Sequence, residues 1–192
     1  MSPSPSATPS PSRLRRRAAI LVLVVACLGT VATSPPRSPS ITAEFTGPTM
    51  HFTQDKPWST RRFVARATAR NSNESIGGSM SGMLTARWKP IGVTTSSGPT
   101  LRSRLVHPGD TANLSRDITL DTPDTPKEVS PGGVFFPHCE LDERCELEVE
   151  LHIEVVGELG EGTVEVDWTL QAEAYAHSED TPKGFALEIQ ER

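Results

Sequence analysis

Two long segments near the carboxyl end alternate between apolar and polar residues. In the first, 145–155, and in the second, 164–174, every other residue is apolar and most of the residues between are acidic. A period of two predicts strands with one buried face and one solvent-exposed face. The stretch between them, 157–162, is rich in glycine, which predicts a turn that joins the two strands into a β-hairpin.

Shorter predicted strands precede this pair and follow it. They are 41–46, 50–53, 63–68, 84–89, 101–105, 114–120, 134–136 and 185–189. Of these, 63–68, 84–89 and 101–105 alternate in the same way, and 114–120 is mixed. Turns rich in Gly, Pro, Asn and Asp separate many of them, whereas the small residues at 77–82 predict a flexible connection. The pattern predicts an all-β fold, an antiparallel β-sandwich that is immunoglobulin-like in general architecture, with a closed barrel as the alternative. The order of the strands does not follow from it.

The N-terminal part of the chain is different in composition. Residues 1–17 are rich in Ser and Pro and end in basic residues, and we predict that they are disordered. An apolar segment, 18–32, is too short to cross a bilayer as a helix, which takes ~20 residues. A basic stretch followed by a short apolar stretch is typical of an export signal. We therefore predict a signal or anchor helix at 18–32, a Pro-rich linker at 33–40 and a single β-sandwich domain at 41–192.

The fate of the apolar segment has three interpretations. Small residues before Thr33 favour cleavage there. Alternatively, the residues before Cys27 resemble a lipoprotein box, in which case Cys27 is lipidated, or the segment stays in the membrane as an anchor. All three place the rest of the chain outside the cytoplasm, secreted or anchored, with membrane contact only through the N-terminal segment.

The cysteine pattern agrees with export. Of three cysteines, Cys27 lies in the signal, which leaves Cys139 and Cys145 in the mature chain. We predict a disulfide between them, because exported proteins fold in an oxidising compartment. The alternatives are two free thiols, or a zinc site that includes His138, for which no fourth ligand is visible.

Charge is divided unevenly along the chain. Residues 1–110 contain fourteen Lys and Arg against four Asp and Glu, whereas residues 111–192 contain five against twenty. The whole chain has a net charge of −5. An acidic chain lacks the basic face that nucleic acid requires, so we exclude a nucleic-acid partner.

The acidic positions of the two long strands are the most conspicuous candidate surface. A weak candidate binding surface combines them with one tryptophan: Trp58, Glu146, Glu148, Glu150, Glu165 and Asp167. The alternative is a solvated face that is partly neutralised by Arg66, Arg87 or Arg102 on neighbouring strands.

The tryptophans divide into two classes by position. Trp88 and Trp168 occupy apolar positions of predicted strands, which predicts core packing. Trp58 follows Lys56 and Pro57 in a predicted loop, so we expect it to be exposed.

Metal ligands are few and dispersed. Met50, His51, Met80 and Met83 are weak candidates for a copper site, because thioether and imidazole ligands suit copper. The alternative is that these methionines fill irregular space in the core. We predict no cofactor and no metal site.

No catalytic motif survives inspection; the serines at 79 and 81 lack the glycine spacing of a nucleophile elbow. We predict an exported cell-envelope or secreted protein that is not an enzyme and has a binding or structural role toward a protein or glycan partner. The alternatives are an exported hydrolase with an unrecognised carboxylate site and a copper-binding envelope protein.

Overall fold

The computed structural model describes residues 39–70, 74–92, 98–110, 115–136, 139–140, 145–178 and 180–192. These residues belong to one compact unit, 38–192. Within them there is no helix long and apolar enough to span a bilayer. The predictions for 1–17, for 18–32 and for Cys27 lie outside the described residues, as does most of the predicted linker 33–40. Its last residue, Ser40, begins the first strand instead.

The described part of the chain is all-β, as predicted, and contains no α-helix. The strands are β1 (Ser40–Thr46), β2 (Met50–Phe52), β3 (Trp58–Thr68), β4 (Ser75–Lys89), β5 (Thr100–Val106), β6 (Arg116–Thr119), β7 (Lys127–Val129), β8 (Gly133–Phe135), β9 (Cys139–Glu140), β10 (Cys145–Val156), β11 (Thr163–Ala176) and β12 (Ala186–Glu191).

The strands form two antiparallel sheets. The seven-stranded sheet has the order β1-β11-β4-β7, with β2 paired to β11 and with β8 and β9 paired to β4. The five-stranded sheet has the order β12-β3-β10-β5-β6. Every pairing within them is antiparallel.

One hydrophobic cluster takes residues from both sheets. Phe63 and Leu151 enter it from the five-stranded sheet, and Leu84 and Trp168 enter it from the seven-stranded sheet. All four side chains are almost completely buried. Apolar side chains on alternate positions of each strand thus meet between the sheets, which is a sandwich-like arrangement.

The predicted β-hairpin between the two long strands is wrong. Strand β10 pairs with β3 and β5, whereas β11 pairs with β4, β1 and β2. The chain therefore crosses from one sheet to the other between them. Alternation requires only that one face of each strand be buried, and two strands that face each other across a core satisfy it as well as two neighbours in a sheet.

The segment between β10 and β11, residues 157–162, is held in place by its glycines, one buried leucine and one hydrogen bond. Gly157 and Gly160 have positive φ angles of 113° and 56°, which glycine adopts without steric cost. Between them Leu159 is buried at the edge of the core, and its N–H donates to Oε1 of Gln54 at 2.9 Å. The leucine side chain and this hydrogen bond hold the crossing against the end of the sandwich.

The predicted flexible connection at 77–82 is also wrong, because these residues are part of the long strand β4. A side-chain carbon at Gly77 would lie 2.7 Å from the ring of Tyr175, and one at Gly78 would lie 2.2 Å from the carbonyl oxygen of Glu173. Close approach of β11 therefore requires glycine here. A glycine-rich strand is exceptional, and local propensity gives no sign of it.

The predicted disulfide between Cys139 and Cys145 is confirmed, with the two Cα atoms 5.7 Å apart. Cys139 belongs to β9 in the seven-stranded sheet, and Cys145 begins β10 in the five-stranded sheet. The bond therefore joins the two sheets. Cys145 is fully buried and packs in a second, smaller apolar cluster with Ala67, Ile76 and Ala174.

Candidate functional site

The outer face of the five-stranded sheet carries a regular lattice of polar side chains. Odd-numbered residues of β10 are buried, so the even-numbered ones point outward with their partners on β3 and β5. Glu154 lies between Trp58 and Arg102 in one row of partners, and His152 lies between Thr60 and Arg104 in the next. The strand register thus places side chains from three strands beside one another.

These two rows line a groove of about 310 Å³. We call it the Trp58 groove, and its side chains are those of Trp58, Thr60, Arg102, Arg104, His152 and Glu154, with Ser115 before β6 at its far side. The walls combine one aromatic ring, hydroxyl groups and charges of both signs. One aromatic ring beside several polar groups offers a ligand both an apolar contact and hydrogen-bond partners.

Trp58 is exposed, as predicted, with 61% of its surface accessible. Trp88 and Trp168, which were predicted to lie in the core, are 3% and 2% exposed. The prediction that Trp58 lies in a loop is wrong, since it is the first residue of β3. Its backbone is therefore held in a sheet, and its indole extends over one end of the groove.

The two arginines of the groove differ in their partners. Arg102 contacts Asp117 at 3.3 Å and Glu154 at 3.5 Å, so its charge is shared between two carboxylates. Among the described residues, no carboxylate forms an ion pair with Arg104, and no side-chain hydrogen bond joins it to another residue. The guanidinium of Arg104 is therefore available to a ligand.

A chain of hydrogen bonds begins at Thr60 and His152 in the groove and continues to Glu150 and Arg62 outside it. Thr60 Oγ1 is 2.9 Å from His152 Nδ1, and His152 Nε2 is 3.0 Å from Glu150 Oε2. Glu150 Oε1 accepts a hydrogen bond from Nε of Arg62 at 2.7 Å. Glu150 is only 8% exposed, and this pairing satisfies its buried charge.

Strand geometry brings the first members of this chain together. The N–H of Val155 donates to the carbonyl oxygen of Pro57, so Thr60 and His152 form a non-hydrogen-bonded pair in the same ladder. Such pairs have Cα atoms about 4.5 Å apart and place their side chains close together. Contacts with Thr60 at Nδ1 and with Glu150 at Nε2 therefore fix the orientation of the His152 imidazole.

The candidate acidic surface does not exist as one surface. Glu146, Glu148 and Glu150 lie on the five-stranded sheet, whereas Glu165 and Asp167 lie on the seven-stranded sheet, and each set points away from the core. The two sets therefore face opposite directions. This separation follows directly from the crossing of the chain between β10 and β11.

Arginine and lysine neutralise much of this acidity, in agreement with the alternative interpretation. Arg66 pairs with Glu146 at 2.7 Å, and Arg192 pairs with Glu148 at 2.6 Å. On the other sheet, Lys89 contacts Glu165 at 2.7 Å. The hydrogen bond and positive charge of Lys89 lower the pKa of Glu165 below its ordinary value, although partial desolvation opposes the shift.

The proposed copper ligands lie apart along the seven-stranded sheet. Met50 pairs with Val166, and Met80 pairs with Ala172, six residues farther along β11. At ~3.4 Å per residue this corresponds to roughly 20 Å. Both methionines are buried in the core, whereas His51 and Met83 are exposed. In the part of the chain that the structure describes, no group of three His, Cys, Asp or Glu residues is placed to hold a metal ion.

Of the predicted binding surface only Trp58 lines the groove, and the other groove residues were not among the predicted binding residues. Arg102, Arg104, His152 and Glu154 occupy polar positions of predicted alternating segments, whereas Thr60 precedes the predicted segment 63–68. The alternation indicated that the side chains of Arg102, Arg104, His152 and Glu154 point outward. It contained no information on which strands are neighbours, and only neighbouring strands make a groove.

Comparisons with known proteins give no family. No protein-family model and no curated protein matches the chain. Among solved structures, it is similar to a family two carbohydrate esterase from Cellvibrio japonicus, with 12% identity over 76% of this chain and a TM-score of 0.28. It is also similar to the infectious bursal disease virus VP2 subviral particle, with 13% identity over 82% of this chain and a TM-score of 0.28. The chain spans 36% and 40% of the length of these two proteins, and likenesses this distant carry no argument.

Proposed function

We propose that this is an exported, non-catalytic binding protein of the cell envelope or its surroundings, and that it binds a glycan in the Trp58 groove. The export pattern at 18–32 and a disulfide, which is typical of an oxidising compartment, support the location. The two antiparallel sheets around a shared core support an immunoglobulin-like general architecture for the domain. Architecture by itself implies no activity, so the site carries the proposal.

The observation that carries the proposal is the exposure of Trp58 beside polar groups. A tryptophan that is 61% exposed presents a flat apolar surface to solvent at the end of a groove lined by hydroxyl, imidazole and guanidinium groups. The C–H face of a sugar ring stacks on such a surface, while its hydroxyls need donors and acceptors around it. A protein partner is the weaker alternative, because protein interfaces have a broader apolar centre.

The test uses tryptophan fluorescence of the full-length protein. Of the three tryptophans two are buried, so a change in emission on adding a ligand reports mainly on Trp58. Titration with cello-oligosaccharide, chito-oligosaccharide and oligogalacturonate is expected to change the emission and to protect Trp58 from acrylamide quenching. Calorimetric titration of the responding saccharide then measures Kd for wild-type and variant proteins.

Trp58→Ala is expected to raise that Kd roughly 30-fold or more, since truncating a central tryptophan of an interface costs about 2 kcal/mol or more. Trp58→Phe is the matched control, because it keeps a flat ring and should retain most of the affinity. Circular dichroism checks that both variants fold. Binding by Trp58→Ala with wild-type affinity, or no binding of any of these saccharides, would contradict the proposal.

A second candidate function is hydrolysis, which the Thr60–His152–Glu150 chain favours. Hydroxyl, imidazole and carboxylate follow in the order that nucleophilic acyl-transfer enzymes use. Binding remains the better-supported function, because Glu150 also binds Arg62, and a carboxylate that is already paired with a cation stabilises an imidazolium less well.

The rate of hydrolysis of p-nitrophenyl acetate and of an acetylated oligosaccharide distinguishes the two functions. A non-catalytic protein is expected to leave the hydrolysis rate at that of the buffer. A hydrolase would show a rate well above buffer that falls in both Thr60→Ala and His152→Ala, while Thr100→Ala on the same sheet would leave it unchanged. That second result would replace the proposed function by catalysis.

A further inference from the structure

We infer that the glycan bound in the Trp58 groove is acidic, with its anionic group on Arg104 and a neighbouring sugar ring on Trp58. This inference rests on the proposed function and specifies the chemistry of the ligand. It depends on the contrast between Arg104 and the other arginines of the same face.

Three other arginines on strands of this face have carboxylate partners. Arg62 pairs with Glu150, Arg66 pairs with Glu146, and Arg102 pairs with Asp117. Arg104, one row from Arg102, forms no such pair among the described residues. Arg70, Arg87 and Arg116 also form no ion pair among the described residues, so Arg104 is an exception only among the arginines at the outward positions of β3 and β5.

The guanidinium matches an anionic sugar substituent in shape and charge. Its planar fork of N–H donors binds a carboxylate through two parallel hydrogen bonds, and such charge-assisted bonds are stronger than neutral ones. Ser115 lies beside Arg104, and Thr60 and His152 share its row, so hydroxyl groups next to the anion also have partners.

Glu154 determines where the anion can lie. It stands between Trp58 and Arg102 in the first row, and Arg102 neutralises it only partly, at 3.5 Å. A ligand carboxylate in that row would be repelled by Glu154, whereas one in the second row meets Arg104, Thr60 and His152 and no carboxylate of that row. The acidic group therefore belongs at Arg104 and an uncharged ring at Trp58.

The separation of these two groups indicates the size of the ligand. Trp58 and Arg104 lie two strands and two residues apart. With strands about 4.8 Å apart and about 3.4 Å per residue, their Cα atoms are roughly 12 Å apart. A single sugar ring is shorter than this Cα separation, and a ligand that contacts both side chains is expected to be an oligosaccharide with an acidic residue, either a uronate or a sulfate ester.

The experiment compares oligogalacturonate with its methyl ester, which has the same backbone without the charge, and with a sulfated dextran oligomer. Wild-type protein is expected to bind an acidic oligomer roughly 10-fold more tightly than the neutral ester, the size of effect expected from one charge-assisted pair. A preference for the uronate or for the sulfated oligomer identifies the anionic group. Raising the salt concentration should reduce either preference.

Arg104→Gln is expected to abolish the preference while leaving binding of the neutral ester unchanged. Arg66→Gln is the matched control, because it removes the same charge from the same face but outside the groove, and it should keep the preference. Equal binding of acidic and neutral oligomers by wild-type protein, or a preference that survives Arg104→Gln, would overturn this inference while leaving the glycan site in place. Loss of all saccharide binding in the wild type would instead contradict the proposed function.

Discussion

Trp168→Ala is expected to lower the free energy of unfolding by about 3–5 kcal/mol, the cost of truncating a fully buried aromatic side chain. The indole is 2% exposed and contacts both sheets: its ring centroid is 5.8 Å from that of Phe45 and 5.3 Å from that of Phe63. Its Nε1 donates to the carbonyl oxygen of Pro48 at 3.0 Å.

Further contacts prevent collapse of the cavity that the variant would leave. A side-chain carbon at Gly47 would lie 1.9 Å from the Trp168 ring, so the indole packs directly on the backbone of the β1–β2 connection. The guanidinium carbon of Arg61 lies over the Trp168 ring, 5.6 Å from its centroid. Backbone and charged groups cannot move into the vacated space at low cost, which places this variant at the upper part of the range.

Thermal and urea unfolding, followed by circular dichroism, measure the effect. For a domain of this size the loss corresponds to a decrease in Tm of roughly 6–20 °C. Trp58→Ala is the matched control, since the same substitution at an exposed site is expected to change stability by about 0.5 kcal/mol or less. Equal losses for the two variants would contradict the described core.

The Cys139→Ala, Cys145→Ala double variant is expected to lose about 2 kcal/mol of stability. The bond closes a short loop, so it restricts the unfolded chain by a small amount on the entropic account. Alanine at both positions avoids burying a hydroxyl group where Cys145 is fully buried. In the folded state the bond connects β9 to the start of β10, so we expect its loss to loosen the structure mainly around these two strands.

Urea unfolding of wild-type protein with and without a phosphine reductant, and of the double variant, measures this contribution. The reductant should lower the wild-type midpoint to nearly that of the variant and leave the variant unchanged. Hydrogen exchange is expected to accelerate first at Ile76, whose strand partner is Cys139. A wild-type midpoint that does not respond to complete reduction would show that the bond adds nothing to stability.

The alternation along β10 and β11 predicted their strands, their buried faces and nearly all of their lengths. It failed on their pairing, because a hairpin and a crossing between sheets place identical demands on the two strands. The turn between them did not decide the matter either, since Gly157 and Gly160 suit both connections. Only Leu159, a buried residue inside a glycine-rich turn, hinted at contact with the core.

The Trp58 groove, like the pairing of β10 and β11, could not be predicted from the sequence pattern. The residues of the groove come from β3, β5 and β10, and Arg104 and Trp58 are 46 positions apart in the chain. The outward direction of Arg104 follows from local alternation, whereas Trp58 precedes the predicted segment 63–68 and was expected in a loop. Their proximity depends on the order of strands in the sheet and on register, which arise from long-range pairing.

The amino-acid sequence by itself predicted that the domain described by the structure is all-β, that Cys139 and Cys145 form a disulfide, and that Trp88 and Trp168 are buried while Trp58 is exposed. These properties depend on period, spacing and polarity, which are local. The tertiary structure alone decided that the two acidic strands lie in different sheets and that a glycine-rich segment forms a strand. It alone also placed Arg104, which forms no ion pair within the described residues, in the same groove as the exposed Trp58. Each of these depends on which segments become neighbours, and that is settled by the packing of the whole core.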